Sequence, residues 1–240
     1  MRRLFACLVA LLVGVGLVQS QSAVDVAIDV AANRHPIDPR IYGVAHADTA
    51  TLADLRIPFH RWGGNVSTRH NWQANASNRG GDWYFESIAD GPATPGLNAD
   101  NFVNDSKANG AQPIITIPMA GWVAKVGPTR NSLASFSVAK YGAQTSVDPW
   151  FTDAGNGVRA STGANITGND PNDANTPSDA TFQRGWVQHL VTRWGNSSGG
   201  GVRYYALDNE PNIWHATHRD IHPNGASMDE LFNLRSLTRA

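Results

Sequence analysis

Cysteine is almost absent from this 240-residue sequence, with Cys7 the single instance. One cysteine excludes an intrachain disulfide framework and a cysteine-based zinc fold. Charge is scarce as well. Only 16% of residues are Asp, Glu, Lys or Arg, and the 19 basic and 20 acidic side chains leave a formal net charge of −1. That balance excludes the basic surplus with which nucleic-acid binders neutralise phosphates. A chain that is 41% hydrophobic and 9% aromatic is not a disordered one either. Glutamate is the third scarcity: Glu86, Glu210 and Glu230 stand against 17 Asp. Chemistry that needs a pair of glutamates therefore has few candidates.

What is present begins with a secretory pattern. Arg2 and Arg3 precede an apolar run over residues 4–18, and residues 19–23 are small and polar. The run is shorter than the ~20 residues of a membrane span. Residues 1–22 are thus expected to be a cleaved signal peptide of a secreted protein, with no membrane attachment after cleavage. Residues 24–30 alternate Val24, Val26, Ile28 and Val30 with Asp25 and Asp29, the pattern of a half-buried strand.

Beyond Pro36 and Pro39, apolar strands alternate with helical segments. Strands are expected at residues 41–44, 59–62, 113–118 and 202–207. Helices are expected at 48–55, 100–109, 133–141, 181–194 and 229–237, with an Asp/Asn/Gly/Pro-rich loop over 147–178. Strand–helix alternation with fully apolar strands predicts an α/β fold with a parallel sheet. Such sheets build their sites at the carboxyl ends of the strands.

Two strand ends carry the chemistry. One is Asp208-Asn209-Glu210-Pro211-Asn212-Ile213-Trp214, where the strand end aims a carboxyl into a cleft, Asn209 can bond a substrate hydroxyl, Pro211 ends the ladder and Trp214 offers a face for a sugar ring. The other is Arg61-Trp62-Gly63-Gly64-Asn65, followed by His70-Asn71-Trp72. Gly63 and Gly64 allow a sharp turn and close approach of backbone to ligand. Aromatic faces with neutral amides suit an uncharged polyhydroxylated ligand. His215, His218 and His222 have a spacing that one helical face could bring to a metal, but Pro223 follows at once and His-Glu-x-x-His is absent. Residues 148–157 carry oxygen donors without the EF-hand order. No cofactor or metal is therefore expected to be required; a structural Ca²⁺ is compatible with the composition but has no specific motif.

These segments, together with Ile37-Asp38-Pro39-Arg40-Ile41-Tyr42-Gly43, Asn75-Ala76-Ser77-Asn78 and Asp153-Ala154-Gly155-Asn156-Gly157, resemble glycoside hydrolase family 44, secreted endo-β-1,4-glucanases that often act on xyloglucan. The resemblance implies a retaining (β/α)8 TIM-barrel glycosidase with an accessory β-sandwich, to which residues 23–36 would contribute one strand. It implies Glu210 as general acid/base at the end of the fourth barrel strand. Trp62, Gly63, Asn65, Trp72, Asn209, Trp214 and His218 would contact a β-glucan polysaccharide. The family's nucleophile lies near the seventh strand, and residues 37–240 hold only four or five βα units. An N-terminal fragment lacking the nucleophile, inactive alone, is the expectation. Xylan or mannan hydrolysis, or glucan binding without cleavage, are the alternatives, and the oligomeric state is left open.

Overall fold

Four short strands form a parallel sheet: β1 (Val44–Ala45), β2 (Phe59–Trp62), and, later in the chain, β5 (Gln112–Ile117) and β9 (Tyr204–Leu207), in the order β1-β2-β5-β9. The computed structural model describes residues 25–236. Register is continuous across the sheet, with Val44 beside His60, Arg61 beside Ile114, and Ile115 beside Tyr205. Between these strands run the helices α1 (Thr49–Leu55), α2 (Leu97–Ala108) and α4 (Ala180–Trp194). Parallel neighbours need such crossovers.

The helices form where caps and spacing direct them. The Asp48 side chain accepts from Thr51 N at 2.7 Å and Asp179 from Phe182 N at 2.8 Å, each satisfying an otherwise orphaned amide. In α4, Gln183, Trp186 and Leu190 share one buried face. That face joins Ala99, Phe102 and Val103 of α2 and Ile115 and Ile117 of β5 in the main core. The buried Asp100 of α2 locks the two helices together, lying 2.9 Å from His189 Nε2 and accepting from Trp194 Nε1 at 3.1 Å.

The loops between the parallel strands hold two small antiparallel sheets. One is β3 (Ala76–Asn78), β4 (Glu86–Ala89) and β7 (Leu133–Ala134); the other is β6 (Trp122–Ala124) with β8 (Asn175–Pro177). Their polar side chains point inward. Arg69, completely buried, pairs with the equally buried Asp220 and donates to Asn78. This network ties the first sheet to the segment that follows β9. Three further short helices are α3 (Val138–Tyr141), α5 (Trp214–Thr217) and α6 (Met228–Ser236).

Several local expectations give way. Residues 41–44 are not a strand: Pro39–Ile41 is a 3₁₀ turn capped by Asp38, and β1 starts at Val44. Residues 133–141 are not one helix. Leu133–Ala134 pairs with β4, the Ser137 side chain caps α3, and Gly142 ends it. The chain divides into two units at Ile37 and Asp38. In the first, residues 25–29 form no ladder with any described strand and Val26, Ile28 and Val30 are exposed, because an isolated strand leaves its backbone groups unpaired. The expected signal segment, residues 1–22, lies outside the described residues. No helix among them is long and apolar enough to cross a membrane.

Candidate active site

The end of β9 is where the backbone departs from regularity. Asp208 N still donates to Ile117 O at 3.0 Å, closing the ladder with β5. Asp208 then adopts φ +61° and Glu210 φ +44°, left-handed conformations uncommon for residues with a side chain. Strain of this kind persists where the surroundings over-determine it, and it concentrates at functional turns. Here the surroundings are explicit. The Asp208 carboxylate accepts from Asn209 N at 2.7 Å and from Met119 N. Trp214 Nε1 donates to Asn209 O at 3.0 Å, and Ile213 N to Glu210 O at 3.0 Å. The result presents Glu210 exposed at the strand end, with Asn209 buried beside it.

Asn209 is clamped from both ends of its amide. Arg61, near the end of β2, donates to its Oδ1 at 2.6 Å. Its Nδ2 donates to Asn65 Oδ1 at 3.0 Å and reaches Glu210 Oε2 at 3.2 Å. Asn65 in turn donates to the Asp82 carboxylate at 3.0 Å. A Cβ on Gly63 would lie 2.5 Å from the Arg61 guanidinium, so the missing side chain leaves the room in which Arg61 folds back towards Asn209. The two strand ends picked out in the sequence thus meet as one hydrogen-bonded group around Glu210.

Other expected sugar contacts do not present their rings. Trp62 is only 7% exposed and is met edge-on by His70 and Phe102 at centroid distances of 5.5 and 5.4 Å. Trp214 is buried and serves as the indole brace just described. Trp72 is half-buried and stacks on Trp186 of α4 at 6.1 Å, with Nε1 donating to Phe182 O at 3.3 Å. His218 is wholly buried against Gly80. Burial, then the charge of Arg69, pushes that imidazole down to about 2, so it stays neutral. Each ring is claimed by its neighbours: Trp62 by His70 and Phe102, Trp72 by Trp186, Trp214 by the Asn209 carbonyl and His218 by Gly80.

Exposed aromatic surface lies elsewhere. Trp83, next to the Asp82 that holds Asn65, stacks on Trp150 at 5.6 Å and 24°. Trp150 is 82% exposed. Asp148 fixes both, accepting from Trp83 Nε1 at 3.2 Å and from Trp150 N at 3.0 Å. The sequence reading included Arg61 in its motif without giving it a role, and did not single out Asp82, Trp83 or Trp150; for the two tryptophans, aromatics inside Asp/Gly-rich loops were the available signal. Behind this pair lies Glu86, buried, with Oε1 lacking any partner among the described residues. Burial, then its hydrogen bond with Asp148, pushes Glu86 up to about 8. Asp208 is likewise raised to about 7 by burial.

His215, His218 and His222 do not converge: His215 is exposed, His218 is buried, and His222 lies 2.8 Å from Glu230. No group of three potential ligands gathers as a metal site among the described residues.

Comparison with known proteins places this arrangement in context. The profile of glycoside hydrolase family 44 matches residues 76–239. The crystal structure of CelM2, a bifunctional glucanase-xylanase protein from a metagenome library, superposes with a TM-score of 0.82 at 61% identity, over 84% of this chain and 39% of that one. A Paenibacillus polymyxa xyloglucanase of the same family gives 0.60 at 30% identity, over 85% of this chain and 38% of that one. A β-mannanase/endoglucanase A of Caldicellulosiruptor saccharolyticus is 30% identical over 222 residues, which are 88% of this chain and 15% of that protein. The chain therefore spans well under half the length of each of these relatives. With the family profile covering more than half of its residues, the chain belongs to glycoside hydrolase family 44.

Proposed function

We propose that residues 38–236 carry the acid/base side of a retaining endo-β-1,4-glucanase site, with Glu210 as general acid/base. The observation that carries this reading is Glu210 itself, exposed at the end of the fourth strand of the parallel sheet beside an Asn209 fixed by Arg61 and Asn65. Glu210 donates its proton to the glycosidic oxygen as the bond breaks, then removes one from the incoming water. Asn209, already oriented, bonds the hydroxyl neighbouring the cleaved linkage. Asn65 contacts the same sugar. Gly63 permits the approach of backbone, and Trp62, Trp214 and His218 act from beneath by bracing the two strand ends. Trp83 and Trp150 supply the open aromatic faces along which further sugar rings lie.

The parallel order β1-β2-β5-β9 with interleaved helices supports a (β/α)8 barrel of which these are the first four strands. Residues 23–36 belong, on this reading, to an accessory sandwich, and residues 1–22 direct secretion. The attacking carboxylate, ~5–5.5 Å from the acid in retaining enzymes, lies outside this chain: Glu86 is sealed beneath Asp148, and Glu230 is engaged by His222. The family relatives named as xyloglucanase and endoglucanase favour β-glucan as substrate. The names glucanase-xylanase and β-mannanase keep xylan and mannan as second candidates.

The test uses two proteins: the 240-residue chain alone, and a chimera in which residues 38–236 replace the matching part of CelM2. The chimera is expected to release oligosaccharides from xyloglucan faster than from xylan or mannan, and the chain alone to show no turnover. Full turnover by the chain alone would overturn the placement of the nucleophile; preference for mannan would overturn the substrate.

A further inference from the structure

A cavity of about 430 Å³ opens between helix α2 and the segment that follows β2, within the ~300–1,000 Å³ range of small-molecule sites. Its walls differ in character. On one side α2 presents Asn98 and Asn101, three residues apart and so on one helical face. Neither side-chain amide has a hydrogen-bond partner among the described residues, so two carboxamides face the space with their full donor and acceptor capacity. Asp90 lines the same cavity. Its Oδ1 accepts from Ser77 Oγ at 3.0 Å and from Arg79 at 3.1 Å. Its Oδ2 has no hydrogen bond and lies 4.0 Å from the buried His70. The lining also includes an edge of Trp62, the last residue of β2, which is only 7% exposed.

Each ligand class can be weighed against this lining. Asp90 and Asp105 face the cavity and the guanidinium of Arg79 is already paired, so an anion meets net negative charge. A purely apolar molecule would strand the two amides and the free carboxylate oxygen. Hydroxyl groups satisfy all of them at once: a carboxylate oxygen that accepts and amides that both donate and accept. We propose that the cavity is a second carbohydrate site that takes one neutral sugar ring, either a free monosaccharide or the branch sugar of a polysaccharide. The site does not depend on Glu210 being the acid. It backs onto the catalytic loop through Trp62, and His46 Nε2 at the cavity mouth lies 3.0 Å from Gly63 O. Occupancy would therefore hold the Gly63–Asn65 turn in place.

The experiment titrates the ¹⁵N-labelled 240-residue chain with xylose, glucose, cellotetraose and a xylose-branched cello-oligosaccharide, following the side-chain amide resonances of Asn98 and Asn101. Saturable shifts with a monosaccharide identify a free-sugar ligand; shifts with the branched oligosaccharide alone identify a polymer branch. In either case Asn101→Leu, an exposed helical position that the fold tolerates, weakens binding ~10-fold, as expected when a bound sugar loses a hydrogen-bonding partner, while Glu210→Gln leaves it unchanged. No saturable shift with any of the four sugars would overturn the proposal. So would unchanged affinity in Asn101→Leu, or shifts that Glu210→Gln abolishes, since the sugar would then occupy the cleft.

Discussion

Glu210 and Glu86 are the same side chain in opposite settings. Glu210 stands exposed on a left-handed turn at a strand end, its neighbours neutral amides. Glu86 is sealed inside a small antiparallel sheet, and burial followed by the bond to Asp148 raises it to about 8. A perturbed carboxyl is often taken as the mark of a catalytic group. The pair teaches the reverse here. The strongly shifted glutamate is buried, whereas the one proposed as the acid is picked out by its exposure at a strand end and by the clamped Asn209 beside it.

The core that holds both glutamate regions together gives the largest expected effect. Arg69 and Asp220 are fully buried and join the sheet containing Glu86 to the segment after Glu210. Arg69→Ala leaves an uncompensated buried carboxylate and is expected to destabilise the fold by about 3–5 kcal/mol, read from urea unfolding. Glu210→Gln is expected to leave that unfolding curve in place.

A second test reads the buried titratable groups by pH. Glu86 and Asp208 hold their protons more tightly when folded, so the stability they contribute is present below their unfolded values of 4.5 and 3.8 and is lost as pH rises through about 8 and about 7. His60 and His70 are lowered to about 4, chiefly by burial. Their contribution is present above 6.5 and is lost as pH falls through about 4. The melting temperature should therefore fall on both sides of a weakly acidic maximum. Glu86→Gln should flatten the alkaline arm, and a profile unchanged by that substitution would contradict the burial argument.

The smallest expected effect concerns the aromatic pair. Trp150→Ala removes an 82%-exposed ring and should raise KM for polymer in the chimera by about 5–10-fold, in line with the ~1 kcal/mol of an aromatic contact. Turnover of a small aryl glycoside should not change. Loss of kcat on both would make the pair part of the framework instead.

Much of this was legible in the residues. The apolar β-branched stretch around Ile114 and Ile115 reads as a buried parallel strand, and the Trp186–Leu190 spacing reads as the inner face of a helix. Asn209-Glu210-Pro211 and Trp62-Gly63-Gly64-Asn65 mark the ends that meet. The small sheets were hidden because a strand such as Ala76-Ser77-Asn78, wholly buried, carries no hydrophobic alternation; its polar atoms are satisfied by Arg69, Phe85, Ser87 and Asp90, polar pairings that leave no periodic signal. Tryptophan roles were hidden for a different reason. A ring that braces a turn and a ring left open at the surface have the same composition signal, and only packing separates Trp214 from Trp150. The link between Arg61 and Asn209 spans 148 positions, a pairing that only the sheet order creates.

The proposed role of Glu210 as acid/base is tested most directly by the leaving-group dependence of Glu210→Ala in the chimera. Loss of the proton donor should slow hydrolysis of polymer and of aryl glycosides with poor leaving groups by about 10²–10⁴-fold. Glycosides whose leaving group needs no proton should break their first bond at nearly the original rate. A uniform loss across all leaving groups, or no loss on any, would contradict the assignment.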